Sequence, residues 1–175
     1  MTKLKLIVCC DKMNGIGKNG LLPWSIPSEM KLFKEKTIGN GNNCVIMGKN
    51  TYLSIPENFR PLKQRMNCIL TSTMPTNTTN YHTLTTIEQL ISWIQQTSYD
   101  EYWIIGGEML YANILHQYKH LIDEIHLSKL NDNYQCDSFF DHEIVIQNFT
   151  LASVIQYQEF THMVFNRLQN KDYLQ

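Results

Sequence analysis

The run NGLLPWSIPSEMKLFKEKT, residues 19–37, puts a carboxylate where an apolar side chain is expected. Pro27 suits the first turn of a helix. At about 100° per residue, Ile26, Met30, Phe33 and Thr37 then share one face, with Ser28, Lys31 and Glu35 opposite. Glu29 falls about 60° from Ile26 and beside Phe33, on the edge of that apolar stripe. The plain account is a charge in a first helical turn, where it favours the macrodipole by about 0.3–1 kcal/mol. The chemical account is that a carboxyl walled by Ile26, Met30 and Phe33 loses hydration, so that it either finds a donor or keeps its proton. Recognition of a polar heterocycle calls for such a group.

Two further stretches offer sites for anions. In MGKNT, residues 47–51, a glycine follows an apolar run and opens a short helix with Lys49 and Thr51 near its start, so backbone N–H groups and an ammonium meet one phosphate. IIGGEMLY, residues 104–111, repeats the arrangement with Gly106 and Gly107. Together they suit one ligand with several phosphates in a crevice at the ends of sheet strands. Singly, either is equally well an ordinary strand-to-helix turn. Two other matches fail. GIGKNG, residues 15–20, has the dinucleotide spacing but runs into LLPWSIP, where Pro23 and Pro27 prevent the helix that the fingerprint needs; it reads as a flap or a surface turn. GKNT lacks the Walker spacing and has Asn50 where Ser or Thr should follow the lysine. His116 and His120 share the spacing of one helix face but have no second ligand pair, so no metal site is expected.

The elements that must position these groups alternate. Strand-like runs cover 3–10, 43–47, 67–72, 101–105 and 123–130, and helical patterns cover 26–37, a short turn from Lys49, 87–96 and about 108–118. That order predicts an α/β single domain with a mostly parallel sheet and helices on both faces. From Thr150, two alternating runs without a helix between them predict an antiparallel hairpin at the sheet edge. The chain has 175 residues, 43% hydrophobic and 18% charged, enough for a full core in one domain. A net charge of −1 provides no field for nucleic acid or an anionic membrane surface. Five cysteines, odd in number and without a CxxC pair, read as reduced thiols and hence a cytoplasmic chain. No apolar run approaches the roughly 20 residues of a membrane span.

Taken in order, LPWSIPSEMKLFK, VIMGKNTYLSI, RPLKQRMNCILTS and WIIGGEMLY resemble the dihydrofolate reductases, with weaker matches in IHLSKL, DSFF and the final hairpin extending the likeness over nearly the whole chain. The resemblance implies an eight-stranded sheet with an antiparallel C-terminal strand. It also implies hydride transfer from NADPH to 7,8-dihydrofolate, giving 5,6,7,8-tetrahydrofolate for one-carbon metabolism and thymidylate synthesis. On it, Glu29 matches the active-site carboxylate that hydrogen-bonds the pterin and assists its protonation, and Leu22, Trp24 and Ser128 stand with it in the catalytic group. Ile7, Cys9, Met30, Phe33, Ile55, Leu62, Ile105 and Tyr111 would wall the folate and nicotinamide pocket. Arg65 matches the arginine that pairs with the α-carboxylate of the substrate's glutamate, where a bidentate fork has geometric value that lysine lacks.

For the cofactor, the resemblance implies Cys9, Ile16, Gly20 and Leu21, then Gly48, Lys49, Asn50 and Thr51, then Leu70, Thr71 and Ser72. The last group is Ile105, Gly106, Gly107, Glu108, Met109, Leu110 and Tyr111, and the bond between Gly106 and Gly107 resembles the family's cis peptide. The chain departs from the pattern at Met109 and Asn50, where relatives often carry basic residues. Selection for the 2′-phosphate then rests chiefly on Lys49, and a narrower preference for NADPH over NADH is expected. Residues 13–22 would form a flap over the nicotinamide. The expected partners are dihydrofolate and antifolates, with no nucleic acid and no membrane. The chain reads as a monomer, or as a domain fused to thymidylate synthase in a longer parent; residues 1–168 form the domain and 169–175 a tail, where NKDYLQ resembles the bifunctional junction. A pteridine or flavin-pathway reductase would need neither Glu29 nor Arg65, and a binding module without turnover would not keep both with the glycine turns.

Overall fold

The computed structural model describes residues 3–76 and 78–168. The 169–175 tail, with its junction-like ending, lies outside them. The chain builds an eight-stranded sheet around β1 (Leu4–Cys10), with β3 (Asn43–Gly48), β4 (Arg65–Leu70), β5 (His82–Leu84), β6 (Tyr102–Gly106) and β7 (Ile122–Leu130) parallel to it. The hairpin of β9 (Phe149–Gln156) and β10 (Phe160–Arg167) joins antiparallel at one edge, giving the order β5-β4-β3-β6-β1-β7-β10-β9. Strands buried on both faces need apolar side chains in both directions, which is why the central ones read as near-continuous apolar runs.

The two-residue period of β1 separates two cores. Leu4, Leu6, Val8 and Cys10 pack with Leu90 and Ile94 of α3 (Ile87–Gln96), Leu110, Ile114 and Leu115 of α4 (Glu108–Gln117), and Val145 of α5 (His142–Asn148). On the opposite face, Ile7 joins Val45, Met47, Ile69, Trp103 and Tyr52, the last from α2 (Lys49–Ser54). That face is also covered by α1 (Pro27–Ile38), whose C-terminus turns at Gly39 with φ 53°. Helices on both faces and the C-terminal hairpin agree with the sequence reading. His116 and His120 do not share a helix face, because α4 ends at Gln117 and His120 sits in the following 3₁₀ turn.

The segment after β1 is tied down more firmly than a surface flap. Its strand β2 (Gly15–Gly17) pairs with β8 (Ser138–Phe139), and the buried Asp11 carboxylate accepts from the N–H groups of Met13, Gly15 and Tyr134 at 2.8, 2.8 and 2.9 Å. Burial would raise the Asp11 pKa, but these backbone donors hold it below the usual carboxylate range. At Gly15 an added Cβ would stand 2.3 Å from the Cβ of Cys136. Gly15→Ala is therefore expected to cost about 1–3 kcal/mol and lower Tm by several degrees. Calorimetry checks this; an unchanged Tm would mean that the 131–141 loop gives way freely.

Candidate active site

α1 crosses the sheet with Glu29 beside Cys9 of β1 and Ser128 of β7 and its Thr37 end against Asn43 of β3 and Arg65 of β4. Glu29 is only 7% exposed, and Thr37, two turns on, is fully buried. Met30, assigned above to the apolar stripe, is 54% exposed. The buried face runs through Ile26, Glu29 and Thr37 with Phe33 half-buried, so the carboxylate lies at its centre rather than its edge. Ile26, at the N-cap, packs into a cluster with Leu130 and Phe160. Beneath Glu29 lie Cys9 and Ser128, opposite each other in the β1–β7 register. Burial pushes the Glu29 pKa up, against hydrogen bonding from Ser128 and Cys9. Tyr111 of α4 donates its hydroxyl to the Ile7 carbonyl at 2.7 Å, and Trp24 packs edge-on against Tyr134 in the Ile26 cluster.

The other end of α1 meets Arg65. Its Nη1 donates to Thr37 Oγ1 at 2.8 Å and its Nε to the Lys63 carbonyl at 2.9 Å. Among the described residues no carboxylate lies within ion-pair distance of it, and burial lowers its pKa to about 10. Glu29 and Thr37 are eight residues apart on the helix, about 12 Å. Phe33, Ile55, Leu62 and Ile105 rim the sheet on this face, half-buried over Ile7, Val45, Met47 and Trp103. Asn67 holds the preceding loop by exchanging hydrogen bonds with the backbone of Leu62, both at 2.9 Å. The sequence reading passed over this asparagine.

On the β3–β6 side two helices begin next to each other. The N-caps of α2 and α4 are Gly48 and Gly107, and neither start has a side-chain cap, whereas Thr86 caps α3 and Asp141 caps α5. A Cβ on Gly48 would lie 4.0 Å from the Gly107 nitrogen, and one on Gly107 would lie 3.0 Å from Thr51 Oγ1. The peptide between Gly106 and Gly107 is cis. Uncapped N–H groups at both starts suit an anion. Lys49 Nζ reaches Thr73 Oγ1 at 2.7 Å, beside the buried Thr71; Asn50 and Ser72 are exposed, and Leu70 is half-buried. Glu108 turns elsewhere, its carboxylate accepting from the Phe139 N–H at 3.0 Å. Met109 is exposed and Leu110 is core. In the loop over the sheet ends, Ile16 is half-buried, Gly20 takes φ 76°, and Leu21 and Leu22 are exposed. Among the described residues no cluster could hold a metal ion, and no helix is long and apolar enough to cross a membrane.

A buried carboxyl, an arginine with no carboxylate partner among the described residues and two uncapped glycine-led helix starts lie on one α/β sheet, the class of α/β protein whose polar groups suit a heterocyclic ligand beside a phosphate-bearing one. The profile of the dihydrofolate reductase family matches residues 3–169. The viral dihydrofolate reductase of Saimiriine herpesvirus 2 (strain 488) is 35% identical over 157 residues, covering 85% of this chain and 72% of that protein. The Rattus norvegicus dihydrofolate reductase is 32% identical over 158 residues, 85% and 83% of the two chains. A bifunctional dihydrofolate reductase-thymidylate synthase of Arabidopsis thaliana is 31% identical over 146 residues, 77% of this chain but 26% of that one. The chain belongs to the dihydrofolate reductase family. It is an NADPH-dependent oxidoreductase that reduces 7,8-dihydrofolate to 5,6,7,8-tetrahydrofolate, the reaction that feeds one-carbon metabolism and thymidylate synthesis.

Proposed function

We propose that the groove along α1 is the folate site, with Glu29 at the pterin end and Arg65 at the glutamate end. The observation that carries this is a buried carboxyl on α1 and, about 12 Å further along the same helix, Thr37, which holds the Arg65 guanidinium of β4 with no carboxylate partner among the described residues. Glu29 Oε atoms accept from the donors of the pterin edge and assist protonation of the ring before hydride arrives. Ser128 and Cys9 set the polarity around that carboxyl. Trp24 and Leu22 stand at its outer side, and Ile7, Met30, Phe33, Ile55, Leu62, Ile105 and Tyr111 exclude water from the ring and the benzoyl linker. Arg65 takes the α-carboxylate in a bidentate fork.

NADPH supplies the hydride. The uncapped starts at Gly48 and Gly107 fit its pyrophosphate, with Thr51, Gly106 and the α4 backbone around them. Lys49, Thr71 and Ser72 hold the 2′-phosphate, with Asn50 and Met109 adding no charge and Glu108 serving to anchor β8. Cys9, Ile16, Gly20, Leu21, Ile105 and Tyr111 border the nicotinamide. Lys49→Ala is expected to weaken NADPH binding by more than NADH binding, since one phosphate loses its charged partner, an interaction of at most about 1.5–3 kcal/mol. Cofactor titrations decide this; equal losses would place Lys49 outside the phosphate site.

The same reading has residues 1–168 act as one domain, monomeric and cytoplasmic, either free-standing or joined through 169–175 to a thymidylate synthase. Antifolates that carry a diaminopyrimidine would occupy the Glu29 end. The test is NADPH oxidation with dihydrofolate and with a pteridine that lacks the glutamate tail, for the parent chain and for Glu29 and Arg65 variants. A parent chain that reduces both substrates equally well would favour a general pteridine reductase.

A further inference from the structure

Three Asn-Gly pairs occur in the chain, at 14–15, 19–20 and 40–41, and the fold holds them differently. An asparagine followed by glycine can close on itself when the glycine nitrogen attacks the asparagine Cγ, a step that needs the glycine N–H free and the peptide able to turn. The Gly15 N–H is held by the buried Asp11 carboxylate at 2.8 Å, and the Lys129 ammonium engages the Asn14 side chain. The Gly41 N–H donates to the Ile38 carbonyl at 2.9 Å. At the middle pair, Lys18 and Leu21 exchange backbone hydrogen bonds of 2.9 and 3.0 Å across Asn19 with φ 51° and Gly20 with φ 76°. Two positive φ values between bonded ends make a type I′ turn. Among the described residues neither the Gly20 N–H nor the Asn19 side chain makes a hydrogen bond, and both residues are exposed. A Cβ built on Gly20 would meet nothing within 4 Å, so the peptide between them has room to move.

We propose that Asn19 is a self-modification site, at which the turn of residues 18–21 converts through a succinimide to aspartate and isoaspartate. The Gly20 nitrogen gives its proton to solvent base and bonds to Asn19 Cγ, the Cγ–Nδ2 bond breaks, and ammonia leaves. Water then opens the imide at either carbonyl, so one water enters for each ammonia lost and nothing is oxidised or reduced. A rotation of the Asn19–Gly20 peptide turns type I′ into type II′, which keeps φ of Asn19 positive and asks a reversed φ only of glycine. The surroundings of the turn give the conversion a consequence. The Asn19 N–H donates to Asp137 Oδ2 at 2.9 Å and the Asp137 N–H donates to the Gly17 carbonyl at 2.9 Å, so Asp137 ties the turn to the β2–β8 pair. A carboxylate at position 19 stands against that of Asp137, and the isoaspartyl form also adds a methylene to the backbone inside the Lys18–Leu21 bridge. On the functional reading above, Gly20 and Leu21 border the nicotinamide, so conversion loosens that side of the cofactor site.

Peptide mapping of the folded chain aged in warm, mildly alkaline buffer tests this, with the same chain in denaturant as reference. In the folded chain the Asn19 peptide is expected to gain aspartate and isoaspartate about two- to tenfold faster than the Asn40 peptide and about ten- to a hundredfold faster than the Asn14 peptide, the ratios set by releasing a neutral and a charge-assisted hydrogen bond. In denaturant the three rates converge. Asn19→Gly tolerates the positive φ and removes the side chain that cyclises, so its turn stays unmodified. Conversion of Asn14 or Asn40 in the folded chain as fast as that of Asn19, or an Asn19 that stays intact in the folded chain while the denatured chain converts it, overturns the proposal. The map needs neither substrate nor cofactor. The consequence for the cofactor rests on the functional reading: NADPH affinity of the aged parent chain is expected to fall about two- to tenfold, the worth of one lost hydrogen bond, with no loss in aged Asn19→Gly. Unchanged affinity in a chain mapped as converted overturns the coupling to the nicotinamide side. If the fresh parent chain binds no NADPH, the functional reading fails, and the map still decides whether Asn19 is the modified residue.

Discussion

Replacing Glu29 with glutamine is expected to lower turnover at neutral pH by about 10²–10⁴-fold with the pocket's shape intact, since the amide is isosteric but cannot hold or deliver the proton that the ring needs. Activity should recover in part as pH falls, because dihydrofolate protonated in solution bypasses the missing group. Glu29→Asp keeps a carboxyl, set back by one methylene, and should retain far more activity than the amide. Stability moves the other way. Burial raises the Glu29 pKa, so over the interval between the unfolded value near 4.5 and the higher folded value the native state binds more protons than the unfolded chain. Its contribution is therefore unfavourable above the folded pKa and vanishes as pH falls to the unfolded one. Relative to the parent chain, Glu29→Gln should show a higher Tm above neutral pH and a difference that shrinks toward pH 4. Steady-state NADPH oxidation and thermal melts of the three proteins against pH check both limbs. A glutamine variant with near-normal turnover at pH 7 would reduce Glu29 to a charge at a helix start.

How much of this was legible in the chain depends on the range of the interactions involved. α1, α3 and α4 announce themselves through local signals: Pro27, the apolar spacing of Ile87, Leu90, Ile91 and Ile94, and the glycine pair before Glu108. The carboxyl at Glu29 is conspicuous because it breaks such a local pattern. β5 has three residues and α5 seven, too few for a period to emerge, and α5 depends on the Asp141 cap. The two-stranded β2–β8 sheet joins segments over 120 residues apart. Asp11 meets Tyr134, and His126 meets His162, only after parallel and antiparallel registers are set. The exposure of Met30 beside the buried Glu29 is likewise set only when α1 docks on the sheet. The glycine turns were visible singly, whereas their proximity to each other and to Thr51 comes from β3 and β6 being neighbours in a sheet ordered differently from the chain.

Arg65 gives the second large effect, and it separates the two ends of the groove. Arg65→Leu should raise KM for dihydrofolate about ten- to a hundredfold, the loss of a charge-assisted fork of about 1.5–3 kcal/mol, with kcat far less affected. Binding of a small diaminopyrimidine, which shares only the Glu29 end, should barely change. The fold has little to lose. Thr37 Oγ1 keeps its own bond to the Phe33 carbonyl at 2.8 Å, and the guanidinium leaves no counter-ion behind among the described residues. Its pKa of about 10 records a charge already disfavoured by burial, so an apolar replacement should leave Tm unchanged or slightly raised. Steady-state kinetics, inhibitor titration and a thermal melt on one preparation distinguish the cases. Parallel loss of dihydrofolate and diaminopyrimidine affinity with a lowered Tm would make Arg65 a support for the loop that Asn67 holds. Loss confined to the tailed ligand would leave α1 as a helix that reads one molecule at both ends, with its carboxyl at the ring and its Thr37 steadying the arginine that meets the tail.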